Sequence, residues 1–379
     1  MNHKIISIEF TWVRAPLDKP VSAAGMSFTY RDYLLCKLLC DDGTEGIGFS
    51  YVGVGGGRSA LYAASDLFGD LVVGRNPDNI ESIWQAMYNA TLIQGRAGIV
   101  MNALSAIDIA LWDRKARSLK QPLCHLLGGH TDKPVKAYAS GGYYAEGKGL
   151  EELKEEAQSW VNAGFTAVKI KAGKLSLKEE EQRVAAVRDA IGDECLLMLD
   201  LYNAMENIGE AVQFADMYKH YNPYWIEDPF KPDDIENFTR LSSKVSTPLA
   251  TGEFHYSLHT FKTIIESGAA QVIQAEAPRV GGITQWRKIA NLVDACGAVV
   301  NPCWFHQLHA QLLPSISGGE FVEYFPDNAV LNFNQLICND GMHLNKKGQL
   351  LLSQSHGLGF DFDTDGIDEL EHETLIVRS

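Results

Sequence analysis

Between residues 4 and 51 apolar and polar positions alternate, rich in Val, Ile, Tyr and Phe, and Asp41-Asp42-Gly43-Thr44 separates the apolar runs 33–40 and 46–51. A period of two broken by such a turn predicts a meander of antiparallel strands. Two Gly-rich or polar stretches, residues 20–30 and 52–59, interrupt it and predict mobile surface loops. The second holds Gly55-Gly56-Gly57 ahead of a helix-like segment, which suits a flexible loop better than an anion cradle. From residue 60 to 127 the period becomes helical, most clearly at Ala103, Leu104, Ile107, Ala110 and Leu111, and it ends at Gly128-Gly129. One sheet followed by helices predicts an α+β unit over residues 1–130.

Beyond it, short apolar runs alternate with amphipathic stretches: 135–139, 167–171, 196–200, 224–227, 249–253, 272–276, 299–302 and 321–323. Repeated βα units imply a parallel sheet. Asp200, Glu227, Glu253, Glu276 and Asn301 follow one another at intervals of 27, 26, 23 and 25 residues, room for one βα unit each. Eight such units fit before about residue 345, enough to close a barrel, with the fourth and eighth strands short. No GxGxxG opens a helix after the first strand, which argues against a dinucleotide-binding sheet. The fold class is α/β: a TIM-like barrel over residues 131–350 with the α+β unit as a second domain. The acidic, alternating tail 351–379 is expected to pack back on that unit.

Composition sharpens the picture. Of 379 residues 46% are apolar and 21% charged, which describes a globular protein with ample core. Lys and Arg total 33 against 48 Asp and Glu, a net charge of −15 that repels phosphate backbones and anionic lipid surfaces. Neither nucleic acid nor membrane is an expected partner, and an anionic substrate needs local positive charge. Seven cysteines without paired short spacings fit a reducing, cytoplasmic setting. The N-terminus lacks the features of a signal peptide, and no apolar run is long enough to span a membrane.

The informative chemistry is positional. Asp200, Glu227 and Glu253 each end a successive apolar strand, so a barrel sets three carboxylates side by side on the rim where active sites occur. Uncompensated, they repel and resist burial. A hard divalent cation resolves the conflict, and an all-carboxylate ligand set suits Mg2+ better than zinc. One strand earlier, Val168-Lys169-Ile170-Lys171 places two lysines on one face of a buried strand. Crowding each other beside a metal, they are expected to have depressed pKa values, making one a usable general base.

These features resemble the enolase superfamily, in its mandelate racemase-like branch. The resemblance rests on the KxK strand, the three strand-end acids, the Gly281-Gly282-Ile283-Thr284 turn and the helix Ala106-Ile107-Asp108-Ile109-Ala110-Leu111-Trp112-Asp113, and it covers essentially the whole chain. It implies a capping domain over a modified (β/α)7β barrel, so the count of eight equivalent units needs correction at one helix. It also implies one Mg2+ that stabilises the enediolate formed when a proton leaves the carbon beside a carboxylate. Carried over, Asp200, Glu227 and Glu253 match the metal ligands and Lys171 the base. Lys169 matches the lysine that contacts the substrate carboxylate, and Glu323 the acid that hydrogen-bonds the enediolate. A homo-oligomer is implied as well.

The departures bear on substrate. Members with a His-Asp dyad place Asp after the sixth strand and His after the seventh, where this chain has Glu276 and Asn301-Pro302-Cys303-Trp304. His255, on the rim beside Glu253, is the better candidate for a second acid or base; His306 and His309 fall where a helix begins. Tyr202 stands where the branch often has Asn. Tyr30, Arg31, Tyr51 and Arg58, near the capping loops, suit a hydroxylated substrate, and Tyr30, Arg58, Tyr202, Glu276 and His306 are candidate substrate contacts. The function expected is dehydration of a sugar acid, a small anionic carboxylate. The alternatives are a cycloisomerase or racemase/epimerase using the same intermediate, and a non-catalytic barrel that serves as a binding module.

Overall fold

A computed structural model of the chain describes residues 3–326 and 333–379. Strands Ile5–Ala23, Met26–Cys40 and Glu45–Gly53 form the expected antiparallel meander, and the C-terminal strand Glu371–Arg378 pairs with the first of them at the sheet edge. The tail therefore returns to the N-terminal unit.

Residues 20–30 are not a loop. They are the tip of the first hairpin, with Val21 opposite Phe28 and Ala23 opposite Met26 across a turn at Ala24-Gly25. A register irregularity between Pro16 and Val21 absorbs Pro20, which makes the stretch read as loop. Ser22 and Tyr144 exchange backbone hydrogen bonds of 2.8 and 3.1 Å, which bring the tip down onto the barrel mouth. In the Gly55–Gly57 turn the Gly57 N–H donates to the Asp32 carboxylate at 3.2 Å.

Helix Ile99–Ser118 packs against this sheet so closely that a Cβ on Gly46 or Gly48 would strike its backbone at Ala110 or Ala106. Its Asp108 reaches the other unit, accepting from the N–H and hydroxyl of Thr284 at 2.9 and 2.6 Å. Gly282, with φ of +82°, has no room for a side chain against that carboxyl. The two sequence motifs are thus the two halves of one joint between cap and barrel.

The barrel strands are, in order, Val135–Gly141, Ala167–Lys171, Leu196–Asp200, Pro223–Glu227, Leu249–Thr251, Val272–Ile273, Val299–Val300 and Val322–Tyr324. The eighth pairs in parallel with the first, Val322 opposite Ala137, and closes the ring. The fourth strand is full length, contrary to expectation. The short ones are the fifth to the eighth, because their chains turn early to carry rim residues. Seven helices separate the eight strands; among the described residues the eighth is followed by a short 3-10 turn, Phe333–Leu336. This is the modified (β/α)7β barrel. Tyr138, Ala167, Met198, Trp225, Ala250, Val272 and Phe321 form a separate apolar cluster, one side chain from each of the first six strands and one from just before the eighth. Two residues further along, by strand alternation, come Lys169, Asp200, Glu227, Gln274 and Glu323. A dry plug at one end leaves the polar groups facing the capped end.

Candidate active site

Strand register sets the geometry. Lys171 is opposite Asp200, and Asp200 opposite Glu227, so base candidate and acids share one rung. All are buried, as are Lys169, Glu253 and Glu323. Lys169 Nζ donates to both oxygens of Glu227 at 2.7 and 2.9 Å and pairs with Glu323 at 2.9 Å. Lys171 Nζ donates to Asp200 Oδ2, and Asp200 Oδ1 accepts from the N–H of Tyr202 at 2.9 Å. Glu227 is further fixed by Gln274 at 2.7 Å and by the Trp225 indole at 3.1 Å.

The two lysines depart from expectation. Burial opposes their charge, but Glu227 and Glu323 around Lys169, and Asp200 around Lys171, outweigh it and hold both ammonium groups well above the usual lysine range. Depression would require the acids to be given another counter-charge. The acids divide accordingly. Burial would raise all of them, but Lys171 and Lys169 bring Asp200 down, and Lys169 brings Glu323 down. Glu227 is pushed up to about 8 by burial and by Asp200, and Glu253 is raised by burial despite Lys171.

One acid was missed by the sequence reading. Asp228, directly after Glu227, has φ of +40° and lies buried, and oxygens of Glu227, Asp228 and Glu253 come within 4.8 Å of one another. Asp228 Oδ1 accepts from Thr251 at 2.5 Å; among the described residues Asp228 Oδ2 and Glu253 Oε1 are buried without a hydrogen-bond donor. Burial, Glu253 and Glu227 raise Asp228 well above its usual range. The Glu-Asp-Pro end of the fourth strand was a signal, but strand alternation alone assigns Asp228 to the opposite face. Five buried carboxylates (Asp200, Glu227, Asp228, Glu253 and Glu323) against two ammonium groups, three of them grouped within reach of one ion and two of those with an orphaned oxygen, fit a divalent cation.

Trp304 was also missed. It and Phe305 sit in left-handed backbone, φ +55° and +34°, after the seventh strand. This turns the indole into the site, where Nε1 donates to Glu253 Oε2 at 2.9 Å while the backbone N–H donates to Glu323 at 2.7 Å. Two bulky residues held in a disfavoured conformation at strand ends are the kind of strain that functional sites carry.

The remaining candidates divide. Tyr202 walls the site, with Lys171 Nζ 5.1 Å from its ring, and Tyr143 lies at 5.2 Å. Glu276 is buried at the sixth strand end and ion-paired to Arg279 at 3.1 Å; burial pushes it up to about 7. Tyr30, on the opposite face of the strand from its neighbour Arg31, is stacked under Arg14 at 4.0 Å. Arg58 is 68% exposed and pairs with Glu373 on the C-terminal strand, again away from the acids. His255 packs edge-on against Phe261, and burial lowers it to about 4. His306 packs on Tyr324 at 4.6 Å, and burial lowers it to about 3. Among the described residues neither histidine forms a hydrogen bond or ion pair with the lysines or acids of the site. His309 accepts from the N–H of Ala277 and belongs to the helix packing. Outside the ring, a cavity of about 900 Å3 lies between the hairpin tip Ala24–Met26 and Tyr202, Lys231, Asp233 and Phe254.

Comparison with known proteins agrees with this architecture. Residues 5–128 match the mandelate racemase/muconate lactonizing enzyme N-terminal domain, and residues 152–366 the enolase C-terminal domain-like family. The chain belongs to the mandelate racemase/muconate lactonizing enzyme branch of the enolase superfamily. It is 33% identical over 351 residues to L-talarate/galactarate dehydratase of Salmonella typhimurium, covering 91% of this chain and 85% of that protein. It is 34% identical over 283 residues to 3,6-anhydro-alpha-L-galactonate cycloisomerase of Streptomyces coelicolor, covering 74% and 77%. The crystal structure of L-talarate dehydratase from Polaromonas sp. JS666, complexed with Mg and L-glucarate, superimposes over 100% of both chains with a TM-score of 0.91 at 28% identity.

Proposed function

We propose that this chain is a Mg2+-dependent sugar-acid dehydratase. The observation that carries the reading is the buried rung of Lys171, Asp200 and Glu227, flanked by Lys169, Glu253 and Glu323. Asp200, Glu227 and Glu253 would hold the ion, with Asp228 deepening the negative field beside them. When bound, Mg2+ supplies Lewis-acid stabilisation of the charge that develops on the substrate carboxylate. With the acids so engaged, Lys171 would be freed from Asp200, and burial would then lower its pKa.

Neutral Lys171 then takes the α-proton onto Nζ. The electron pair left on the α-carbon forms a double bond to the β-carbon as the C–O bond to the β-hydroxyl breaks. The hydroxyl departs as water with a proton drawn from solvent, to which Lys171 returns its own. The enol becomes a keto acid by losing its hydroxyl proton and gaining one at the β-carbon. Lys169 offers positive charge to the substrate carboxylate, and Glu323 lies beside it. The Trp304 indole holds Glu253 in position. Trp304→Phe keeps the ring but removes the donor, and should weaken Mg2+ binding about tenfold, read by calorimetry.

A cycloisomerase shares the first proton transfer, and the 34% identical relative of that activity supports it as a second reading. A two-base racemase is disfavoured. At the seventh strand end Cys303 replaces histidine, and burial, Glu253 and Glu276 push its thiol far above the range in which it would act as a base. Incubation of sugar acids and their lactones with enzyme and Mg2+ in deuterium oxide tests these readings. Formation of a keto acid with deuterium at its β-carbon and loss of water from the acid supports dehydration. Conversion of a lactone or other cyclic acid to a product of the same composition, with no water lost, favours cycloisomerisation, and exchange on no substrate would refute both.

The same reading divides the chain near residue 130 into cap and barrel, with residues 351–379 returning to the cap. All seven cysteines are unpaired, which supports a reducing compartment. Among the described residues no helix is long and apolar enough to cross a membrane. The homo-oligomer implied by the family resemblance is open to light scattering.

A further inference from the structure

The geometry points to Arg31 as the residue that takes a second carboxylate, so that the substrate class is dicarboxylic rather than monocarboxylic sugar acids. This rests on the dehydratase reading and adds its specificity. Arg31 lies on the second cap strand, only 1% exposed. Its Nη1 donates to the Tyr51 hydroxyl at 2.8 Å, and its guanidinium carbon stands 4.6 Å from the Trp304 ring and 5.2 Å from Phe28. The same Trp304 indole donates to Glu253. One aromatic ring therefore spans from the proposed metal ligands to the cap guanidinium.

A second link runs through the tyrosines. Tyr143 and Tyr202 lie beside Lys171 and are also close enough to Arg31 to interact with its charge. Lys169 and Lys171 mark one end of the site and Arg31 the other, with Tyr51, Tyr143, Tyr202 and Trp304 between them. In a chain with net charge −15, two cationic ends match a ligand with an anion at each end. The planar guanidinium fork suits bidentate capture of a carboxylate, and the aromatic surroundings strengthen that contact by excluding water. A monocarboxylic acid would present a hydroxyl there, which makes no ion pair.

Steady-state kinetics with Mg2+ on aldaric and aldonic acids of matched carbon number and configuration test this. The parent should favour the diacid about 100-fold in kcat/KM, and Arg31→Met should narrow that ratio to within about threefold, mainly through KM, with Arg31→Lys in between. Calorimetric affinities of both acids for Lys171→Ala, with and without Arg31→Met, give the same ratio without turnover. Equal kcat/KM for the two acid classes in the parent, equal affinities in Lys171→Ala, or an unchanged ratio in Arg31→Met would overturn the assignment. Absence of turnover and of α-proton exchange on every acid would instead defeat the dehydratase reading, while the calorimetric ratio would still decide the role of Arg31.

Discussion

Lys171→Ala is expected to lose α-proton exchange and keto-acid formation by about 1,000-fold or more, the scale of a positioned general base. Lys171 Nζ is bonded to Asp200, so the substitution also removes a competitor for that carboxylate. Mg2+ affinity should therefore stay the same or rise. This combination separates loss of a base from collapse of the site, which would lower both. Lys171→Arg should not restore exchange, because a guanidinium stays protonated at any usable pH. Proton NMR in deuterium oxide measures the exchange; a variant that still exchanges at the parent rate would mean that another group removes the proton.

Removal of Mg2+ should be equally damaging. Without a divalent cation the buried acids keep Lys169 and Lys171 protonated, and chelation should suppress exchange by about 1,000-fold or more, restored by added Mg2+. The pH dependence has a definite sign. Glu227 is raised from 4.5 to about 8, so the metal-free fold binds a proton that the unfolded chain releases. Its stabilising effect is present at low pH and is lost as pH rises from 4.5 through about 8. Mg2+ requires the deprotonated carboxylate, so its apparent affinity should weaken by up to about tenfold per pH unit as pH falls below that value. The rise in melting temperature on adding Mg2+ should accordingly grow between pH 6 and pH 8, and a shift independent of pH would contradict this account of Glu227.

Much of this site was legible because strand alternation and βα spacing are long-range regularities. Asp200, Glu227 and Glu253 recur at the interval of one βα unit, and Lys169 and Lys171 differ by two on a buried strand. What escaped depends on local backbone that periodicity cannot encode. Asp228 and Trp304 have positive φ, so their side chains point where alternation does not send them. Residues 20–30 read as loop because Pro20 and Gly25 are turn formers, yet pairing across Ala24-Gly25 and contact with Tyr144 make them a hairpin. Arg31 and Tyr30 are adjacent in sequence, and only the sheet's packing decides which one faces the barrel. The lysine pKa values failed for another reason: the expectation assumed a cation that neutralises the acids, whereas the protein alone pairs those acids with the lysines.

The most direct test is calorimetric titration of Mg2+ into the chelator-stripped chain at pH 8, alongside Asp200→Asn, Glu227→Gln and Glu253→Gln. The account predicts one ion per chain in the parent and a loss of affinity of about 100-fold or more in each variant, since each removes an anionic ligand. Undiminished binding in all three variants would show that the ion sits elsewhere and that these strand-end acids are not its ligands.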